Sequence, residues 1–219
     1  RLGVCDAIIA GGVDTLCNMT IEGFSSLSVT TDGVCNPFSV NRNGINIGEG
    51  AALFLLTREP SMVRLCGIGE TSDAYHISSP HPEGEGAEKA MLLAIKQAKT
   101  DPAKIDYLNF HGTGTKQNDK MEALAVHRVF GEEVACSSTK PLTGHTLAAA
   151  GAIEAVFCWL ALQRNDNKLP PHRWDGQQDP DLPRLINIAA SKSQGKPKFV
   201  MSNSFAFGGN NISLILGAE

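Results

Sequence analysis

The chain has 219 residues, 42% of them apolar and 19% charged, with a formal net charge of −4. That length suffices for one sizeable core or two small layered domains. The mild acidity argues against a nucleic-acid surface, and the most apolar segment, 146–162, is interrupted by Glu154 and too short to span a membrane.

In chain order, "CDAIIAGGVD" (5–14) predicts a buried strand, followed by a Ser/Thr/Asn-rich loop through "FSSLSVTTDGVCNPFSVNRNG". "GEGAALFLLT" (48–57) predicts a second apolar strand of the kind covered on both faces. Glu59-Pro60 breaks the pattern, because proline cannot donate to a ladder and disfavours helix before it, and a subdomain boundary is placed there. "VRLCGIGETSDAY" restarts as a strand. A Pro/His/Gly loop leads to a helix near 85–99 with Ala87, Ala90, Met91, Ala94, Ile95 and Ala98 on one face.

"DYLNFHGTGT" predicts a strand then a loop, and 118–130 a helix with Met121, Leu124, Ala125 and Val129 inward. "VACSSTK" predicts a short strand, and 146–163 a helix apolar nearly all round and hence buried. "LINIAA", "KFVMSNSFAFGG" and "NNISLILGA" close the chain as strands. The alternation predicts an α/β fold, a sheet flanked by helices with mixed strand pairing at the end. The six cysteines form no C-x-x-C pair, so neither a zinc site nor a disulfide framework is indicated. With no signal peptide visible, a reduced, cytoplasmic compartment is expected. The start "RLGVCDAIIAGG", without methionine and almost at a strand, reads as part of something larger.

Four motifs carry the chemistry: "HGTGT" (111–115), "STKPLTGH" (138–145), "AAAGAIEA" (148–155) and "NSFAFGGNN" (203–211). Each alone has a plain alternative. A histidine after a strand is commonly a loop residue with a structural hydrogen bond, and "GTGT" lacks the P-loop spacing. Lys140 alone is a surface lysine beside a turn, and Phe207 alone is core. Glu154 needs a partner on any reading, because an unpaired buried charge costs too much.

Together, and with "AGGVD" and "NPFSVNRNGINIGEGAA", the motifs make the chain resemble the β-ketoacyl-acyl carrier protein synthases of the elongating, decarboxylating Cys-His-His class. The resemblance implies a thiolase-like fold, layered α-β-α-β-α in the full enzyme. It gives residues 1–60 as the last strands and loop of the N-terminal half and 61–219 as the C-terminal half. It implies His111 and His145 as the two catalytic imidazoles, with Lys140 between them. Glu154 and Phe207 would be supporting residues, Phe207 as a gate. Thr113, Thr115 and Phe205 would meet the phosphopantetheine arm of the carrier protein. No cofactor or metal bound by the chain itself is implied.

The family's nucleophilic cysteine is placed upstream of the strand matching 5–14. Cys136, despite its "ACSS" setting, lies on the strand leading to the lysine and is a decoy. Cys5 and Cys66 are read in strands, Cys17 and Cys35 in loops without helix caps, and Cys158 inside a buried helix. His76, His81, His127 and His172 sit in loop-like or helix-surface contexts and are given no role. Asn43, Lys116 and Pro141 depart from the usual family pattern and leave the subfamily open. The implied partners are an acyl carrier protein, met by Lys116 and Lys120, and a second ketosynthase subunit, as homodimer or heterodimer. Alternatives are a polyketide- or polyene-type ketosynthase and a non-catalytic partner subunit. The initiating Cys-His-Asn branch, thiolases proper and a nucleotide-binding module fit the motifs less well.

Overall fold

A computed structural model describes residues 3–185 and 195–218. Apart from Leu185, the strand expected at "LINIAA" lies outside them. In chain order the elements are β1 (Ala7–Asp14), α1 (Asn18–Ser26), β2 (Gly50–Thr57), β3 (Val63–Ser72), α2 (Glu85–Ala98) and β4 (Tyr107–Asn109). There follow α3 (Lys116–Phe130), β5 (Cys136–Ser137), α4 (Lys140–Thr143), α5 (Ala150–Gln163), β6 (Phe199–Phe205) and β7 (Asn210–Ala218). Among the described residues no helix is long and apolar enough to cross a membrane.

The strands form two sheets. β1 and β2 pair antiparallel as a ribbon, and a five-stranded sheet runs in the order β3-β7-β6-β4-β5. Pairing is mixed, as expected: β4 runs parallel to β5 and β6, while β7 is antiparallel to β3 and β6. The two-residue period of strands sorts side chains between two cores. Leu108, Met201 and Ile215 join Met91 of α2 and Val126 of α3, whereas their neighbours Tyr107, Val200 and Leu216 join Cys158 and Leu162 of α5.

Helix α5 lies between this sheet and the ribbon, touching β6 and β7 on one side and β1 and β2 on the other. A helix packed from two sides needs apolar residues around most of its circumference. The ribbon approaches closely because Gly12 has no side chain: a Cβ there would lie 2.2 Å from the carbonyl oxygen of Ala148.

Five expectations need correction. In this chain the strand at 48–57 is covered on one face only. Cross-strand partners Ile9 and Leu55 are 70% and 69% exposed, and Leu53 is 64% exposed, while Phe54 and Leu56 face inward. The loop after β1 contains helix α1, which buries no residue and so gives no apolar stripe to read. Cys17 is the N-cap residue of that helix, with its Sγ 3.0 Å from Thr20 Oγ1, and that bond pulls its thiol pKa down. Cys5 precedes β1 rather than lying in it. On α3, Leu124 and Val129 are half-buried, and Glu122, Ala123 and Val126 take the fully buried positions.

Candidate active site

Parallel strands present their C-terminal ends together, and loops leaving those ends converge. His111 follows β4 by two residues and Lys140 opens the short helix just after β5. The sharp turn through "HGTGT" requires glycine: Gly112 has φ +42°, and a Cβ there would lie 2.6 Å from Ser138 Cβ. Thr115 then caps α3, accepting the Asn118 N–H. The Thr113 and Thr115 hydroxyls lie 2.9 Å apart.

Lys140 is 1% exposed, and the donors of its ammonium are directed at named acceptors. Nζ donates to Glu154 Oε1 at 2.5 Å and to the His111 carbonyl at 2.6 Å, and stands 3.5 Å from His111 Nδ1. Burial raises the Glu154 carboxyl above its usual range, against the pull of Lys140. An ammonium has no lone pair, so His111 Nδ1 is the acceptor and its proton sits on Nε2.

His145 reaches the same place from another direction. Its N–H donates to the Asn46 carbonyl at 2.7 Å and its carbonyl accepts the Gly48 N–H at 3.0 Å. Leu147, held at φ +48°, donates its N–H to His145 Nδ1 at 3.2 Å. That bond also leaves the proton on Nε2. The two rings meet edge to face with centroids 5.2 Å apart. Burial first, then the Lys140 charge, holds both imidazoles well below the ordinary histidine pKa near 6.5; His145 adds to the effect on His111. At neutral pH they are two uncharged N–H donors.

The rings line a cavity of about 440 Å³, which Thr113, Thr115, Phe205 and Phe207 also line. Phe205 is buried against His111, with centroids 6.0 Å apart. Phe207 is 48% exposed and stacks on Phe24 of α1 at 6.1 Å, so the pair stands at the opening rather than in the core. Every expected site residue except Lys140 and Glu154 thus borders the cavity, and those two lie behind His111. Cys136 does not: it is buried in β5, and burial pushes its thiol up, away from the thiolate form.

Sequence reasoning missed the acids beneath this wall. Glu122 accepts the N–H groups of His111 at 2.8 Å and Gly112 at 2.7 Å. Burial pushes its carboxyl up to about 8 despite those bonds. Asp119, one turn earlier on α3, accepts the N–H of Phe38 at 2.8 Å and of Gly114 at 3.2 Å. The available signal was acidic residues three apart at the start of a helix, on its apolar side. His172, in a loop-like context that suggests no role, is a further missed residue. It is buried, accepts the Ser138 N–H at 3.0 Å, and faces the Pro37 carbonyl at 3.2 Å.

The mixed sheet, the sandwiched helix and the imidazoles at the strand ends define a thiolase-like α/β protein. The family described as "Beta-ketoacyl synthase, C-terminal domain" matches residues 62–173, and "Beta-ketoacyl synthase, N-terminal domain" matches 1–61. The chain belongs to the β-ketoacyl synthase family. It is 38% identical to 3-oxoacyl-[acyl-carrier-protein] synthase 2 of Staphylococcus aureus over 231 aligned positions, 97% of this chain and 56% of that protein. A ketosynthase (ApeO) solved in complex with its chain length factor (ApeC), from Xenorhabdus doucetiae, superposes with a TM-score of 0.95 at 51% identity, over 100% of this chain and 54% of that one. The AntDE:AntF assembly, a type II PKS acyl-carrier protein in complex with its ketosynthase, gives a TM-score of 0.89 at 27% identity, over 100% and 58%. The chain spans about half the length of the curated relatives it matches.

Proposed function

We propose that this chain supplies the decarboxylating side of a β-ketoacyl-acyl carrier protein synthase, an acyltransferase of fatty acid biosynthesis. Residues 1–60 belong to its N-terminal half and 61–219 to its C-terminal half. The observation that carries the reading is the pair of neutral imidazoles, each with Nδ1 engaged and Nε2–H left for a ligand in the cavity.

The carboxylate of a malonyl thioester leaves as carbon dioxide when its C–C bond breaks. The bonding electron pair moves into an enolate whose charge sits on the thioester oxygen. Nε2–H groups of His111 and His145 donate to that oxygen, and each such donor is typically worth about 3–4 kcal/mol. The enolate carbon then attacks an acyl thioester on a cysteine sulfur, forming the new C–C bond and releasing the thiolate. That cysteine belongs to the part of the relatives that this chain does not match. Glu154 anchors the Lys140 ammonium, and the Lys140 charge, added to burial, keeps His111 unprotonated.

Thr113 and Thr115 receive the phosphopantetheine arm, Phe205 forms the inner wall and Phe207 acts as the gate. The phosphopantetheine arrives on an acyl carrier protein, for which Lys116 and Lys120, exposed on the helix that carries the cavity-lining Gln117 and Asn118, offer positive charge. The second subunit is another ketosynthase-fold chain, and the compartment is the cytoplasm. A second reading, a polyketide- or polyene-type ketosynthase working with a chain-length-factor partner, draws on the 51% identity to ApeO. It keeps the same chemistry and changes the product.

Release of carbon dioxide from malonyl-loaded carrier protein by the full-length protein tests the reading. His111→Ala is expected to slow it by about 10²–10³-fold, the usual cost of one oxyanion donor. An unchanged rate would overturn the assignment.

A further inference from the structure

The decarboxylating site depends on where Lys140 stands, and α4 alone does not fix that. The helix is four residues long, and its preceding turn is held by side chains instead of helical repetition. Ser138 is the centre of that turn. Its Oγ donates to the Gly112 carbonyl at 2.7 Å and accepts the Lys140 N–H at 3.3 Å. Ser138 thereby ties the His111 loop to the first residue of α4. Its own N–H is taken by His172 Nδ1 at 3.0 Å.

With Nδ1 accepting, the His172 proton sits on Nε2 and donates to the Pro37 carbonyl at 3.2 Å. The ring lies between Phe38, at 6.2 Å, and Trp174, at 5.5 Å. Pro37 precedes Phe38, whose N–H is held by Asp119. The imidazole thus spans from the 35–46 loop, within the first 61 residues, to the turn that launches Lys140.

We propose that His172 is a positioning residue for the decarboxylating site: a strut between Pro37 and Ser138 that sets where the Lys140 ammonium meets His111. The proposal rests on the decarboxylation assigned above. Burial pushes the ring's pKa down to about 4, so the uncharged form with a free Nδ1 lone pair persists at neutral pH. An imidazole is suited to the task because its two nitrogens, on opposite sides of a rigid ring, accept on one side and donate on the other. Displacing the strut would not remove any group from the cavity. It would shift Lys140, and a misplacement of about 1 Å can cost about a hundredfold in rate.

Three substitutions in the full-length protein separate the strut from simple packing. His172→Asn retains an acceptor near the Nδ1 position. His172→Gln places its amide near Nε2 and loses the Ser138 bond. His172→Phe keeps the ring and loses both bonds. The Gln and Phe variants are expected to lower kcat for carbon dioxide release about ten- to a hundredfold with KM for the malonyl carrier unchanged, while Asn, which keeps the Ser138 bond and loses the Pro37 one, falls between them and wild type. If all three lose rate only in proportion to lost thermal stability, or if none loses rate, the proposal is wrong.

Amide hydrogen exchange at Ser138–Lys140 reads the strut without turnover. Exchange faster in Gln and Phe than in Asn supports it, and equal protection in all three overturns it. That readout stands even if the wild-type protein releases no carbon dioxide, an outcome that would sink the functional reading instead.

Discussion

The ribbon β1–β2 and the five-stranded sheet are built from similar apolar strands, yet they end in different states. The sheet has α2 and α3 on one face and α5 on the other, so Leu108 and Tyr107, neighbours pointing opposite ways, are both fully buried. In this chain the ribbon has α5 on one face, and among the described residues the other face is left exposed, so the alternation that half-buries Phe54 leaves Leu53 and Leu55 in solvent. Apolar sequence reports what a strand can bury, and the neighbouring layers decide how much it does bury. Polar groups follow the same logic with higher stakes. Lys140 and Glu154 are tolerated only because the layers around them supply partners.

The sharpest way to break this contrast is at the buried pair. Lys140→Met leaves Glu154 without its cation in the dry region beneath His111, and is expected to cost about 3–5 kcal/mol in chemical denaturation. A loss under about 1 kcal/mol would mean the pair is solvated and the burial contrast overstated.

Glu122→Gln comes next. The amide keeps one acceptor oxygen for the two N–H groups of His111 and Gly112, so one is left unsatisfied at a cost of about 1–3 kcal/mol. Its pH dependence adds a sign. A carboxyl with its usual pKa of 4.5 in the unfolded chain and about 8 when folded binds more protons in the folded state between those values. Its contribution is therefore complete below pH 4.5 and is lost as pH rises towards 8. The stability gap between wild type and Glu122→Gln, followed by denaturation across that window, is expected to shrink with rising pH. A gap that is flat or grows would show the acid ionised throughout.

Leu53→Ser is the smallest effect and sharpens the other side. On the open face of the ribbon the change should stay within about 0.5 kcal/mol, as for other exposed positions. A cost near 2 kcal/mol, in the range of a buried leucine, would show that this face is covered in solution.

Much of the architecture was legible because it rests on periodicity. Ala87, Ala90, Met91, Ala94 and Ile95 recur at helical spacing, and α2 buries them against β3 and β7. α1 was not legible, since none of its residues is buried and no apolar stripe marks it. The site divides the same way. His111, Lys140, His145 and Glu154 were readable from their motifs. Phe24, Asp119, Glu122 and His172 were not, because their partners lie far away along the chain. Phe38, for instance, reaches Asp119 across 81 positions, and His172 reaches Pro37 across 135.

By itself, then, the sequence determined the order of the strands and of the longer buried helices and the mixed sheet, as consequences of local spacing, while the site residues were legible through the resemblance of their motifs to a family. Only the tertiary structure decided which face of the ribbon is open, which acids lie beneath the histidine loop, and which nitrogen of each imidazole carries its proton. Those depend on hydrogen-bond partners and packed layers that chain folding brings together, and no local pattern encodes them.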